Sequence, residues 1–247
     1  MHKLLSASEV IPLMRAHLFH IRKAVKGENG LEGNDIILGA KANAELDWCD
    51  HQLLHADEAG VPLATRYLFP ASSDSTLVQY ADASREEAKP EESGAGAWAI
   101  VASTFVYVEW RWRRREIERF SINVLETIVK DVAARVFVRF ARSHNLPITH
   151  SLSFTDNSTA ENIAERGRAT TEALNELNLR RQDWLVAEGI HQRTERVASI
   201  DNDVADLLSR GEMEEALRFA KASKLPVERL RPLPDERDTS FIAPTWA

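Results

Sequence analysis

Between Thr76 and Trp112 the chain runs through three short stretches of strand-like alternation, and residues 121–143 then switch to helical periodicity. This switch of period constrains the fold more than any other feature of the sequence. The three expected strands are Thr76–Ser84, Trp98–Ala102 and Thr104–Trp112, with Glu86–Gly94 as a polar loop. In the third, Val106, Val108, Trp110 and Trp112 share one face, as residues two apart on a strand must. The helix carries Ile122, Leu125, Val129, Val132, Ala133, Val136 and Phe140 on one stripe. Ser151–Thr155 reads as a fourth strand that ends at Asp156-Asn157-Ser158. Helical stretches over 159–166 and 170–188 follow, then a strand over Arg193–Ile200 and a last helix over 202–223. The order implies an α/β fold: a mixed five-stranded sheet flanked by helices.

Residues 1–70 read as a separate helical segment. Val10, Ile11, Met14, Leu18 and Ile21 recur at helical spacing, and Lys26–Gly30 is a polar turn. A second helix is expected from Ala42 to Ala59, stopped by Gly60-Val61-Pro62. The loop Phe69–Asp74 marks the boundary to the sheet domain over 75–223, and the proline-rich stretch 224–247 is expected to be an irregular tail.

No run of 18 apolar residues exists, so no membrane helix is expected. Met1–Leu5 lacks the apolar core of a signal peptide, and Cys49 is the sole cysteine, which rules out an internal disulfide. An intracellular compartment, cytoplasm or nucleus, is expected. The net charge of −7 counts against a module that binds nucleic acid through a basic field alone. It leaves room for clustered carboxylates that hold metal ions.

Four acids stand out. Asp82 continues the row of Val78 and Tyr80, and Asp156 continues that of Leu152 and Phe154. The plainer reading of either is a turn or N-cap aspartate. Glu126 lies inside the apolar stripe of the long helix, i+4 from Ile122 and i−3 from Val129. A buried carboxylate there needs a partner: a metal, the open edge of a cleft, or one of Arg111, Arg113, Arg114, Arg115 and Arg119. Asp206 falls early in the last helix, where it could merely complement the helix dipole. Trp110 and Trp112 with Arg111 and Arg113–Arg115 could contact nucleic acid, although tryptophans on a strand are more simply core residues.

The order of strand-end Asp, mid-helix Glu, strand-end Asp and helix-start Asp resembles the ribonuclease H superfamily. Local strings carry the resemblance further. Tyr80-Ala81-Asp82-Ala83-Ser84, the glycine-rich Gly94–Trp98, and Thr155-Asp156-Asn157-Ser158 each resemble blocks of that family. The most specific string is Asn202-x-x-Ala205-Asp206-x-Leu208-Ser209-Arg210, which is similar to a signature of retrotransposon ribonuclease H domains. Glu9–Phe19 and Leu46–Cys49 with Gly60–Leu63 resemble the thumb and connection of retroelement reverse transcriptases of the DIRS-like group.

The resemblance implies a two-metal endonuclease that hydrolyses the RNA strand of RNA–DNA hybrids. Asp82, Glu126, Asp156 and Asp206 would hold two Mg²⁺ or Mn²⁺ ions, and a polymerase domain would lie N-terminal to this segment. Ser84, Asn157, Asn202 and Arg113 are expected to contact nucleic acid. Two departures from the family pattern are Ala81, where threonine is usual, and the absence of a histidine in Glu195–Ile200. A folded ribonuclease H-like remnant that binds or scaffolds without cutting is the alternative. An integrase- or resolvase-like DNA-cutting enzyme is a third reading, which the Asn202–Arg210 string disfavours.

Overall fold

The computed structural model describes residues 17–25, 38–58, 75–86, 88–157, 169 and 171–242. The expected turn at 26–30, the stop at 60–62, the loop at 69–74, the helix at 159–166 and a possible capping box at Ser158–Glu161 lie outside them.

Helices α1 (Phe19–Val25) and α2 (Ala40–Glu58) pair around Leu18, Ile21, Ala42 and Cys49. Glu45 of α2 accepts from the backbone N–H groups of His20 and Ile21, both at 2.9 Å. It thereby satisfies donors that the first turn of α1 leaves free.

The main body is built on strands β1 (Thr76–Ala83), β2 (Gly94–Val101), β3 (Thr104–Arg111), β4 (His150–Thr155), β5 (His191–Arg196) and β6 (Val227–Arg229). They form one sheet in the order β5-β4-β1-β2-β3-β6. β1, β2 and β3 are an antiparallel meander, β4 and β5 run parallel to β1, and β6 runs parallel to β3. The expected class, a mixed α/β sheet flanked by helices, holds with six strands rather than five. The sixth comes from the stretch expected to be an irregular tail. Its few residues pair with Phe105–Tyr107, and Ile242 further on is buried in the main core. A three-residue strand of exposed side chains carries no periodicity for a reader to find.

Helix α3 (Arg114–Arg119) is short and was not expected from its run of charges. Helix α4 (Ile122–Ser143) lies on one face of the sheet. It packs against Ala81, Ala95, Ala97, Ala99, Val106, Val108 and Trp110. Helix α5 (Glu172–Glu188) joins the same core through Ala173, Leu174, Leu177 and Leu185. The opposite face carries α6 (Asp203–Arg210), α7 (Met213–Ala216) and α8 (Arg218–Ala222), packed on Phe105 and Tyr107.

The single helix expected over 202–223 is therefore three. Gly211 breaks it with φ 82, and a Cβ there would stand 2.0 Å from Nη2 of Arg111. β2 begins four residues earlier than expected. Its glycines and alanines hide the alternation, and pairing on both sides sets its length. β5 begins and ends earlier than the expected Arg193–Ile200, and Ser199–Asn202 is a 3-10 turn.

Candidate active site

The parallel register of β1 and β4 fixes the first pair of acids. Tyr80 stands opposite Phe154 in the last pair of the ladder, and Asp82 and Asp156 each lie two residues beyond that pair. Neighbouring strands lie about 4.8 Å apart. Asp206 lies in the first turn of α6, on the face of the sheet to which Asp82 points. Glu126 comes from α4. The four share one electrostatic neighbourhood: Asp82 feels Asp156 and Asp206, and Glu126 feels Asp82 and Asp156.

Asp82 is only 7% exposed, and its Oδ2 accepts from the Ser209 hydroxyl at 2.9 Å. Burial pushes its pKa up to about 6; the charges of Asp156 and Asp206 add to the rise, while the Ser209 hydroxyl and the Ala83 N–H oppose it. Glu126 is pushed further, to about 8, first by burial and then by Asp82 and Asp156, against the Asn157 amide and the charge of Lys130. The Asn157 amide donates to Glu126 and also to Asn123 Oδ1, the latter at 2.9 Å. Thus Asn157, not one of the nearby arginines, is the partner of Glu126. Asp156 Oδ2 accepts from Ser199 at 2.9 Å. Both oxygens of Asp206 accept from Arg210 Nε, at 2.9 and 3.0 Å.

Asp82 is thus a buried carboxylate and Glu126 a half-buried one, each hydrogen-bonded by a neutral group. Carboxylates in that condition favour either a proton or a cation. The donor set is all oxygen, which fits Mg²⁺ or Mn²⁺ rather than zinc. Among the described residues no three His, Cys, Asp or Glu side chains converge tightly enough to hold an ion as they stand. Each of the four acids is instead turned to a partner of its own. Like charges repel when no cation lies between them.

α6 sits so close to the sheet because two strand positions lack side chains. A Cβ on Gly96 would lie 2.4 Å from the backbone nitrogen of Ser209 and 2.5 Å from the carbonyl oxygen of Ala205. One on Gly94 would lie 2.3 Å from the Ser209 carbonyl oxygen. Glycine at both positions lets the helix bring Ser209 onto Asp82.

Three residues expected to contact nucleic acid are engaged within the protein. Ser84 is buried, and its hydroxyl donates to the Ser209 carbonyl at 2.9 Å. Asn202 is 1% exposed, with its amide on the Ala81 carbonyl at 3.3 Å. Asn157 holds Glu126. Polar residues beside a buried acid cluster are drawn inward because the backbone and carboxylates there need partners. Arg113 is exposed, and its backbone N–H donates to Glu116 Oε2 at 2.8 Å at the start of α3. Trp110 and Trp112 belong to the core, and Arg111 caps the end of α6.

Sequence reasoning did not single out Ser209 and Ser199 as partners of the acids. For Ser209 a signal existed, since it lies three residues after Asp206 within the most specific string. Ser199 gave none.

No protein-family model matches the chain, and no curated protein matches it. Among solved structures it is similar to RNase H1 from the halophilic archaeon Halobacterium salinarum NRC-1, at 12% identity and TM-score 0.40, over 57% of this chain and 98% of that one. It is also similar to the N-terminal RNase H domain of a Mycobacterium tuberculosis protein, at 19% identity and TM-score 0.40, over 59% of this chain and 98% of that one. A foamy viral protease-reverse transcriptase in complex with double-stranded DNA is similar at 14% identity and TM-score 0.29, over 79% of this chain and 34% of that one. Residue roles do not transfer at this level of similarity.

Proposed function

We propose that this chain is a ribonuclease H-type endonuclease that hydrolyses the RNA strand of RNA–DNA hybrids, as the nuclease part of a retroelement reverse transcriptase. One observation carries the reading. Asp82, buried at the end of β1, and Glu126, half-buried on α4, lie close enough that Glu126 feels the charges of Asp82 and Asp156, and Asp82 those of Asp156 and Asp206. A fold does not desolvate mutually repelling acids to stabilise itself; a cation-binding task accounts for the cost.

Asp82 and Asp156 would be the central ligands of two Mg²⁺ or Mn²⁺ ions, with Glu126 and Asp206 completing the set. The ions would activate water for in-line attack at phosphorus and stabilise the leaving 3′ oxygen. The protein's own part is to orient and to exchange partners. Burial raises the Glu126 pKa to about 8, so cation binding there would be coupled to release of its proton. Arg210 must release Asp206, whose oxygens it now holds. The 2′-hydroxyls would distinguish the RNA strand, and a polymerase domain N-terminal to this segment would supply the rest of the binding channel.

The test is cleavage of labelled RNA–DNA hybrid, duplex RNA and duplex DNA with Mg²⁺ or Mn²⁺. We expect hybrid cleavage that Asp82→Asn and Asp156→Asn each abolish with circular dichroism unchanged. Either variant cutting at the parent rate would refute the assignment. A parent chain that binds hybrid but cuts nothing would favour the inactive-remnant reading, which draws on the Asp206–Arg210 pair.

A further inference from the structure

The end of α6 is held more firmly than packing alone requires. The last carbonyls of a helix lack partners within it. Here the Ser209 carbonyl accepts from the Ser84 hydroxyl at 2.9 Å and from Arg111 Nη1 at 3.2 Å, and the Arg210 carbonyl accepts from Arg111 Nη2 at 2.8 Å. Arg111 is anchored in turn by the Glu92 carbonyl, which accepts from its Nη1 at 2.8 Å. Gly94 and Gly96 remove the side chains that would hold the helix off. Contacts from β2, from β3 and from the residue after β1 thus meet at the Ser209–Arg210 turn, where Ser209 is 1% exposed.

The Ser209 side chain points from this clamped turn at Asp82. Its hydroxyl lies 2.9 Å from Asp82 Oδ2 and 2.8 Å from the Asp206 carbonyl. It has one proton for two acceptors. A helical serine ordinarily donates back to the carbonyl of the preceding turn. A charged carboxylate is the stronger acceptor, so the ionised Asp82 takes the proton.

We propose that Ser209 is a positioning residue for Asp82: clamped by Ser84 and Arg111, its hydroxyl fixes one oxygen of the central carboxylate so that a divalent cation meets it already oriented. The inference rests on the metal-binding reading above. It adds a tie between the two acids of β1 and α6, since the residue that orients Asp82 lies one turn from Asp206. Groups that orient a metal ligand typically change metal affinity by 10–100-fold when removed.

The experiment measures Mn²⁺ binding to the full chain by electron paramagnetic resonance, without substrate. Ser209→Ala should weaken binding by about ten-fold or more, and Ser209→Thr should restore it. Ser209→Cys changes one side-chain atom and offers only a weak donor, so it should also bind more weakly and reads the hydrogen bond even if the alanine variant is unstable. Alanine and cysteine variants that bind Mn²⁺ as tightly as the parent would overturn the proposal while leaving the metal reading intact. A parent chain whose Mn²⁺ binding is absent, or is unaffected by Asp82→Asn, would overturn both.

Discussion

At the scale of single residues, Glu126 and Asp82 set a pH dependence of unusual sign. Both carboxyls are raised by folding, to about 8 and about 6. Between the ordinary carboxylate values and these, the folded chain keeps protons that the unfolded chain has released. Their contribution to stability is therefore present at low pH and is lost as pH rises through about 6 for Asp82 and about 8 for Glu126. On the proposed metal-binding reading, a bound cation would replace the proton and remove the penalty. Excess Mg²⁺ should then raise the melting temperature more at about pH 9 than at about pH 6, because at the lower pH it must first displace the Glu126 proton. Equal shifts at the two pH values, in melts read against EDTA controls, would mean that Glu126 takes no part in binding.

At the scale of elements, the decisive contact is α6 against β2. A Cβ added at Gly96 would meet two backbone atoms of α6 at 2.4 and 2.5 Å, and backbone cannot swing aside as a side chain can. Gly96→Ala should force the helix outward and destabilise the chain by about 1–3 kcal/mol in urea titration. It should also reduce cleavage, since Ser209 and Asp206 would move together. An unchanged urea midpoint would show that α6 has more freedom than its contacts suggest. The same contact explains why the strand itself was hard to delimit. Gly94-Ala95-Gly96-Ala97 has little intrinsic strand character, and its extent depends on β1 and β3 on either side.

At the scale of the whole molecule, the C-terminal stretch packs on the sheet domain as far as residue 242. Arg139 bonds to Glu236 and to the Arg231 carbonyl, Arg180 donates to the carbonyls of Asp235 and Asp238, and Arg237 lies over the Trp110 ring. Ile242, 1% exposed, closes the core beside α4. Ile242→Ala should cost about 2–5 kcal/mol by chemical denaturation, the usual range for a core isoleucine. A loss within experimental error would return this stretch to the status of a tail.

The sequence by itself determined the elements whose signals are local. The period change from Thr76–Trp112 to 121–143 was enough for the meander and the long helix, because alternation and helical stripes are read within one segment. Three of the four acids stood out for a similar reason, since Asp82, Glu126 and Asp156 each interrupt or end an apolar row, and Asp206 stood out through the string around it. Tertiary structure alone decided what lies far apart in sequence. The partner of Glu126 was open between five arginines and a metal until α4 and the end of β4 were seen together, where Asn157 reaches it. Ser84 and Asn202 were expected to contact nucleic acid, and only the fold shows Ser84 bonded to the Ser209 carbonyl and Asn202 to the Ala81 carbonyl. The sixth strand was invisible because three exposed residues gain their conformation only from the β3 edge they join. Periodicity is a property of one segment, whereas burial and partnership belong to pairs of segments and exist only once the sheet has brought them together.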